Sequence, residues 1–315
     1  MDTVRIGIYS QVDSLRFAPI HVADKRGYFD EAGIEPEYRF LHGGPVQSAL
    51  AAGELDVAAT TVERMLKAYG QAVPFRIVAS METWGMGKGP HHLIAQPRLV
   101  EEGALRDYSD LRGKRLGLEK DRVDPDWLVA YRALNRGGLS FDDVEIVYAS
   151  HGERRERGLE ALNIDVSVAF QPAYLAAALK DRSIALWRHC GELFPGRQGQ
   201  LLGYSAAFIG DRPDVARRWM AAYVRGVRDY LDAVEEDRGR ESMVDLLAGA
   251  TGDARETLEF MPSLGIPRNG GVNVAAMQEE ADLFAAHGFL PGGLQIAPVV
   301  DDQFVNHASR ELGSA

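Results

Sequence analysis

FAPIHVADKRGYFDEAGIEPEYRFLHGGPVQSALAAGELDVAATT, residues Phe17 to Thr61, alternates helix and strand with very little connecting chain. Pro19 to Arg26 reads as a helix closed by Gly27, with Tyr28 and Phe29 packing beneath it. Pro36 to Leu41 is the next strand, and Gly43 and Gly44 make a turn. Pro45 stands where the first helical turn tolerates proline, and the helix Val46 to Ala52 stops at Gly53. Asp56 to Thr60 is a strand and Val62 to Tyr69 a helix. Val4 to Tyr9 (VRIGIY) precedes this block and Phe75 to Ser80 (FRIVAS) follows it, both as strands. Strands separated by helices predict a mainly parallel sheet.

The pattern restarts further on. Strands are expected over Lys114–Leu118, Val144–Ala149, Val166–Phe170 and Ile184–Trp187. Helices are expected over Pro125–Asn135 and Ala173–Leu179, with Gly158 to Ala161 (GLEA) inside another. Tyr204 to Ile209 reads as a further strand. Behind Asp211 and Pro213, apolar residues recur every four positions at Val215, Trp219, Tyr223 and Val227, which predicts a long amphipathic helix. Helices over Glu241–Ala248, Asp253–Phe260 and Val274–His287, and a short one over Phe304–Leu312, complete the chain. The middle half reads as an insertion between two crossings, which predicts a discontinuous unit of residues 1–87 plus 205–315 and a second of 88–204.

The 315 residues are enough for two domains, at roughly 150 residues each. A formal charge of −11 argues against nucleic acid and against an anionic membrane surface, because both need a basic face. No apolar run reaches the roughly 18 residues of a membrane span. Cys190 is the only cysteine, so no internal disulfide can form. The start, MDTVRIGIYS, enters a strand at once and carries no export-leader pattern. The expected location is therefore cytoplasmic if Met1 is the native start, and periplasmic or extracytoplasmic if a leader was removed.

The segment AP-x5-KRGYFDEAGIEPE followed by GG-x5-AL-x2-GELDVA resembles the substrate-binding proteins of ABC importers, in the group that takes nitrate, sulfonate, taurine and thiamine-pyrimidine ligands. DLRGKRLGL (Asp110–Leu118), IDVSVAFQPAY (Ile164–Tyr174) and GYSAAFIGDRPDVARRWMAAYVRG (Gly203–Gly226) extend the resemblance over most of the chain. It implies the type-two periplasmic binding protein fold: two α/β lobes, two crossovers and a ligand in the cleft. It also implies an ABC permease as partner, a small-molecule ligand, function as a monomer, and no cofactor.

In open α/β sheets, ligands sit beyond the carboxyl ends of the strands, where helix N-termini direct amides at them. Four turns of the first lobe end strands. Ser10 to Phe17 offers Ser10, Ser14, Arg16 and Phe17, as anion contacts or as a plain polar loop. His42, Gly43 and Gly44 let backbone approach a ligand, or form only a tight turn. Thr60 and Thr61 can bind an oxyanion or cap the next helix. Glu82 and Trp84 stand at the first crossing, where the indole stacks on a planar ligand or packs the hinge.

The second lobe offers Lys120, Arg122 and Trp127 in and after the turn Glu119–Asp124, and Phe170, Gln171 and Tyr174 after a strand. The family commonly presents small hydroxylated residues at the first of these turns. The charged turn here departs from that pattern and fits a ligand with both charge and polar ring substituents better than plain sulfonate or nitrate.

The alternative reading is a cytoplasmic lyase, decarboxylase or desulfinase on the same fold, acting on a small aromatic acid, with His42 and Glu82 as acid–base groups. The desulfinase of this fold uses a cysteine in the first loop, and Ser10 to Phe17 has none. The pyrimidine synthase of this fold has a cysteine-rich motif that a lone Cys190 cannot make. His91 and His92 are adjacent and make a poor chelate, so no metal is expected.

Overall fold

The computed structural model describes residues 1–8, 14–41, 46–89, 91–170, 172–259 and 263–313. The chain forms two compact units: Met1–Thr83 with Gly196–Ala315, and Trp84–Pro195. The return boundary falls earlier than residue 204 because the strand that comes back from the second unit, Arg197–Ser205, pairs inside the first along Gln200–Tyr204.

Ten strands are present among the described residues: β1 Asp2–Ile8, β2 Ile34–Phe40, β3 Val57–Thr61, β4 Phe75–Trp84, β5 His92–Ala95, β6 Arg115–Leu118, β7 Glu145–Tyr148, β8 Val166–Ala169, β9 Ala185–His189 and β10 Arg197–Ser205. The first unit holds the sheet β2-β1-β3-β10-β4 and the second holds β7-β6-β8-β5-β9. β1 runs parallel to β2 from Asp2 opposite Ile34 to Ile8 opposite Phe40, and parallel to β3 from Ile6 opposite Val57. β6 runs parallel to β7 and β8. The strands next to the crossings break this run: β10 is antiparallel to β3, and β5 is antiparallel to β8 and β9. Both sheets are therefore mixed, each with three neighbouring parallel strands whose carboxyl ends face one edge.

In the first unit, the helix Pro213–Val234 starts on proline, whose missing N–H costs nothing there. It buries Trp219, Tyr223 and Val227 completely and Val215 nearly so, the stripe its four-residue period announces, and Tyr230 is buried as well. Trp219 stacks on Phe29 and Tyr223, so the long helix is pinned to the short helix Tyr28–Glu31 near the chain start. Gly226 allows the tightest contact, since a Cβ there would lie 2.3 Å from the Pro19 carbonyl oxygen. The second unit has a smaller core around Ile94, Leu159, Ile164 and Ile184.

Two expected elements differ. Residues 158–161 are not helical: the helix spans His151–Arg157, is capped by Ser150, and stops at Gly158 with φ +79°. Residues 206–209 are not strand. Ser205 Oγ accepts the Phe208 N–H at 3.1 Å and starts the helix Ala206–Asp211.

Candidate functional site

Each unit gathers buried polar side chains where its parallel strands end. In the first unit, Arg16 follows the β1 loop within a single 3-10 turn, Ser14–Phe17, and donates to Glu82 Oε2 at 3.0 Å. Both residues are buried, and Glu82 is the antepenultimate residue of β4. Gln198, at the start of antiparallel β10, reaches the same edge. Its Nε2 donates to Ser80 Oγ and to the Glu82 carbonyl, both at 2.7 Å, while its Oε1 accepts the Asn273 N–H. Thr60 is fully buried, and its hydroxyl accepts from Gln47 Nε2 at 2.9 Å. Thr61 precedes the helix Val62–Gly70 and makes no side-chain cap. Phe17 lies wholly in the core.

Below this edge, buried Arg197 is held by Glu280 at 2.9 Å and by Glu63. Burial works against the guanidinium charge, and the two carboxylates outweigh it, so the pKa of Arg197 is raised above its ordinary value. Ser10, His42, Gly43 and Gly44 lie outside the described residues, as does the side chain of Ser14.

In the second unit, an aromatic group forms around Trp84. Its indole stacks on His91 with ring centres 4.0 Å apart, and Phe170 and Phe194 lie at 5.9 and 5.5 Å. His151 also meets Phe170, at 5.3 Å and edge to face. Trp127 is drawn elsewhere: it stacks on Tyr131 and Phe141 against its own helix, Pro125–Arg136. Lys120 and Arg122 are exposed. Gln171 lies outside the described residues.

The sequence reading missed the centre of this unit. Asp126 and Arg154 are buried and pair at 2.5 Å. Arg154 Nη1 also donates to the Gly117 carbonyl at 3.0 Å and to Ser167 Oγ, so the guanidinium ties β6 to β8 where Gly117 and Ser167 face each other. Asp126 Oδ2 further accepts the Glu119 N–H at 3.1 Å, while Asp126 Oδ1 is buried without a hydrogen-bond partner. The Tyr174 hydroxyl is likewise buried and unpartnered. Burial raises the Tyr174 pKa, and the charge of nearby Arg154 opposes the shift. Asp124, Asp126 and His151 each offer an atom within 4.8 Å of the others, a spacing that could hold a cation. A partial signal was available, since Asp124-Pro125-Asp126 is a helix start with more carboxylate than one cap needs.

A family model described as NMT1/THI5 like matches residues 14–236. A riboflavin-binding protein, RibY, of Chloroflexus aurantiacus is 22% identical over 231 residues, which is 72% of this chain and 62% of that protein. The chain thus spans less than two thirds of that curated relative's length. The alkanesulfonate-binding protein SsuA of Xanthomonas axonopodis pv. citri, solved bound to MOPS, superposes with a TM-score of 0.69 at 22% identity, covering 96% of this chain and 99% of that one. The desulfurization enzyme DSZB superposes at 0.68 with 13% identity, covering 99% and 100%. No helix among the described residues is long and apolar enough to cross a membrane.

Proposed function

The chain belongs to the NMT1/THI5-like family, and on that premise we propose that it is a solute-binding protein: it captures a small organic ligand, anionic or heteroaromatic, and delivers it to an ABC importer. The carrying observation is the pair of buried polar clusters, Arg16–Glu82–Gln198 in one unit and Asp126–Arg154 at the turn after β6 in the other. The carboxyl ends of strands are where open α/β sheets hold ligands. Within the second unit, Trp84, Phe170 and Tyr174 would supply the aromatic side of the site. Export from the cytoplasm and a monomeric state belong to this reading.

A second reading is an enzyme on the same fold, favoured by the DSZB likeness. Its catalytic pair would be His42 and Glu82. Glu82 is spent on Arg16, which holds the carboxylate in a buried ion pair instead of leaving it poised for proton transfer.

The test is a thermal-shift and calorimetric panel of sulfonates, aromatic carboxylates, pyrimidines and flavins. A ligand that binds only the native state raises its stability by about 2.7 kcal/mol at a hundredfold excess over Kd. We expect one class to raise the unfolding midpoint and to be recovered unchanged. Conversion of a bound compound to product would remove the capture reading in favour of the enzyme.

A further inference from the structure

We infer that the first unit carries a second binding site, at the opposite end of β1 from Arg16, and that it takes a small zwitterion of the α-amino acid class. The inference goes beyond the capture reading and does not depend on it.

The first observation is a cavity of about 340 Å³ beside the amino-terminal half of β1, lined by Thr3, Arg5, Asp56, Phe208, Asp211 and Arg212. All six residues belong to the first unit. The volume is that of a site for a small molecule. Two arginines, two aspartates and one aromatic ring in so small a space give it a definite chemistry.

The second unit shows which part of this arrangement is structural. Asp56 stands immediately before β3 and accepts the Arg5 N–H at 2.8 Å, Arg5 Nε at 3.1 Å and Arg5 Nη2 at 2.8 Å. Asp165 stands immediately before β8 and accepts the same three donors from Arg115, at 3.0, 3.0 and 2.7 Å. One arginine and one aspartate therefore suffice to bracket a pair of parallel strands of this kind, β1 with β3 and β6 with β8. The first unit adds a second close guanidinium. Arg212 Nη2 lies 2.8 Å from Asp56 Oδ1, the oxygen that Arg5 Nη2 already holds. Arg98, the other arginine beside Asp165, comes only to 4.0 Å.

Donors are left over on this added pair. A guanidinium has five N–H groups. Arg5 spends Nε and Nη2 on Asp56, while Arg212 spends Nη2 on Asp56 and Nη1 on the Thr3 carbonyl at 2.9 Å. Arg5 Nη1 and Arg212 Nε remain to donate, and each side chain is 33% exposed. Asp211, the exposed last residue of the helix Ala206–Asp211, brings a carboxylate to the same cavity and forms no ion pair among the described residues.

Charge decides the class of guest. Arg5 and Arg212 against Asp56 and Asp211 leave the lining neutral. A plain anion would gain from the arginines and meet Asp211, and a plain cation would gain from Asp211 and meet the arginines. A guest with both signs on neighbouring atoms uses both. Its carboxylate accepts charge-assisted hydrogen bonds from the guanidiniums, and its ammonium donates to Asp211. An apolar side chain finds Phe208, whose ring carries Arg212 at 5.0 Å. A purely structural Arg212 accounts for the bonds to Asp56 and Thr3 but gives Asp211 no part, so the test turns on Asp211.

The experiment is titration of the purified chain with leucine, with isocaproate (leucine without its ammonium) and with isoamylamine (leucine without its carboxylate), followed by calorimetry. Leucine should bind at least about tenfold more tightly than either, the worth of one charge-assisted hydrogen bond. In Asp211→Asn, leucine should weaken by at least about tenfold and isocaproate should tighten, because the charge it met is gone. Arg212→Gln should remove binding of both. Its unfolding midpoint is read alongside, since Arg212 also holds Asp56, and Asp211→Asn, which breaks no ion pair, decides if that midpoint falls. Absence of leucine binding, isocaproate that binds as tightly as leucine, or leucine binding that Asp211→Asn leaves unchanged overturns the inference. Capture stands or falls separately, on the ligand panel.

Discussion

Arg197 joins two buried carboxylates, Glu63 and Glu280, whose positions lie 134 and 83 residues away along the chain. That separation is why the group was invisible in the sequence: charge pairing across such distances follows from the fold and leaves no local pattern. The same is true of Asp126 with Arg154 and of Gln198 with Ser80. Candidates at strand ends, such as Arg16, Glu82 and Trp84, could be named because a strand's end is a local property, but which partner each meets was not legible. Thr60 shows the limit: its hydroxyl, expected to bind an oxyanion or cap a helix, accepts from Gln47. Arg197→Met would leave two carboxylates buried without a counter-charge, for which the cost is about 3–5 kcal/mol. The urea midpoint should fall accordingly, and the triple change with Glu63→Gln and Glu280→Gln should recover much of the loss. A single variant as stable as the parent would show that the triad is not held together by its charge.

Among elements, the helix Pro213–Val234 was the most legible, because a four-residue apolar period sustained from Val215 to Val227 has no competing reading. Residues 206–209 went the other way. Ala-Ala-Phe-Ile is too short and too apolar for periodicity to separate strand from helix, and the Ser205 cap settles it as helix. GLEA has strong helix formers, yet Gly158 adopts φ +79° and ends the helix before them. The parallel runs were readable from the helix between each pair of strands. The antiparallel placement of β5 and β10 was not, since it depends on where the chain re-enters each sheet. Close packing of the long helix on Ala18–Lys25 rests on Gly226, where a methyl group would stand 2.3 Å from the Pro19 carbonyl oxygen. Gly226→Ala gains helix propensity of about 1 kcal/mol but forces the two helices apart, and overpacking of this kind costs about 1–3 kcal/mol. Net destabilisation by denaturant titration is expected; a gain in stability would mean the neighbouring helix shifts at no cost.

For the molecule as a whole, the informative fact is that the chain crosses between its two units twice, at Thr83–Trp84 and Pro195–Gly196. The sequence showed this through the restart of the strand–helix pattern and through the family resemblance, and it placed both crossings somewhat late because a crossing strand belongs to one sheet by pairing, which periodicity does not report. Each unit has its own core and its own polar cluster, Arg16 with Glu82 in one and Asp126 with Arg154 in the other. A residue of either unit that takes part in capture must weaken binding when it is changed. Arg16→Gln and Tyr174→Phe should then each raise Kd for the ligand identified in the panel. Because the two residues sit in separate units, the double variant should show the sum of the single losses to within about 0.5 kcal/mol. Titration calorimetry on the three variants is the check. A ligand whose affinity responds to Tyr174→Phe and ignores Arg16→Gln would be held by the second unit alone, and the first unit's buried pair would then serve stability and not capture.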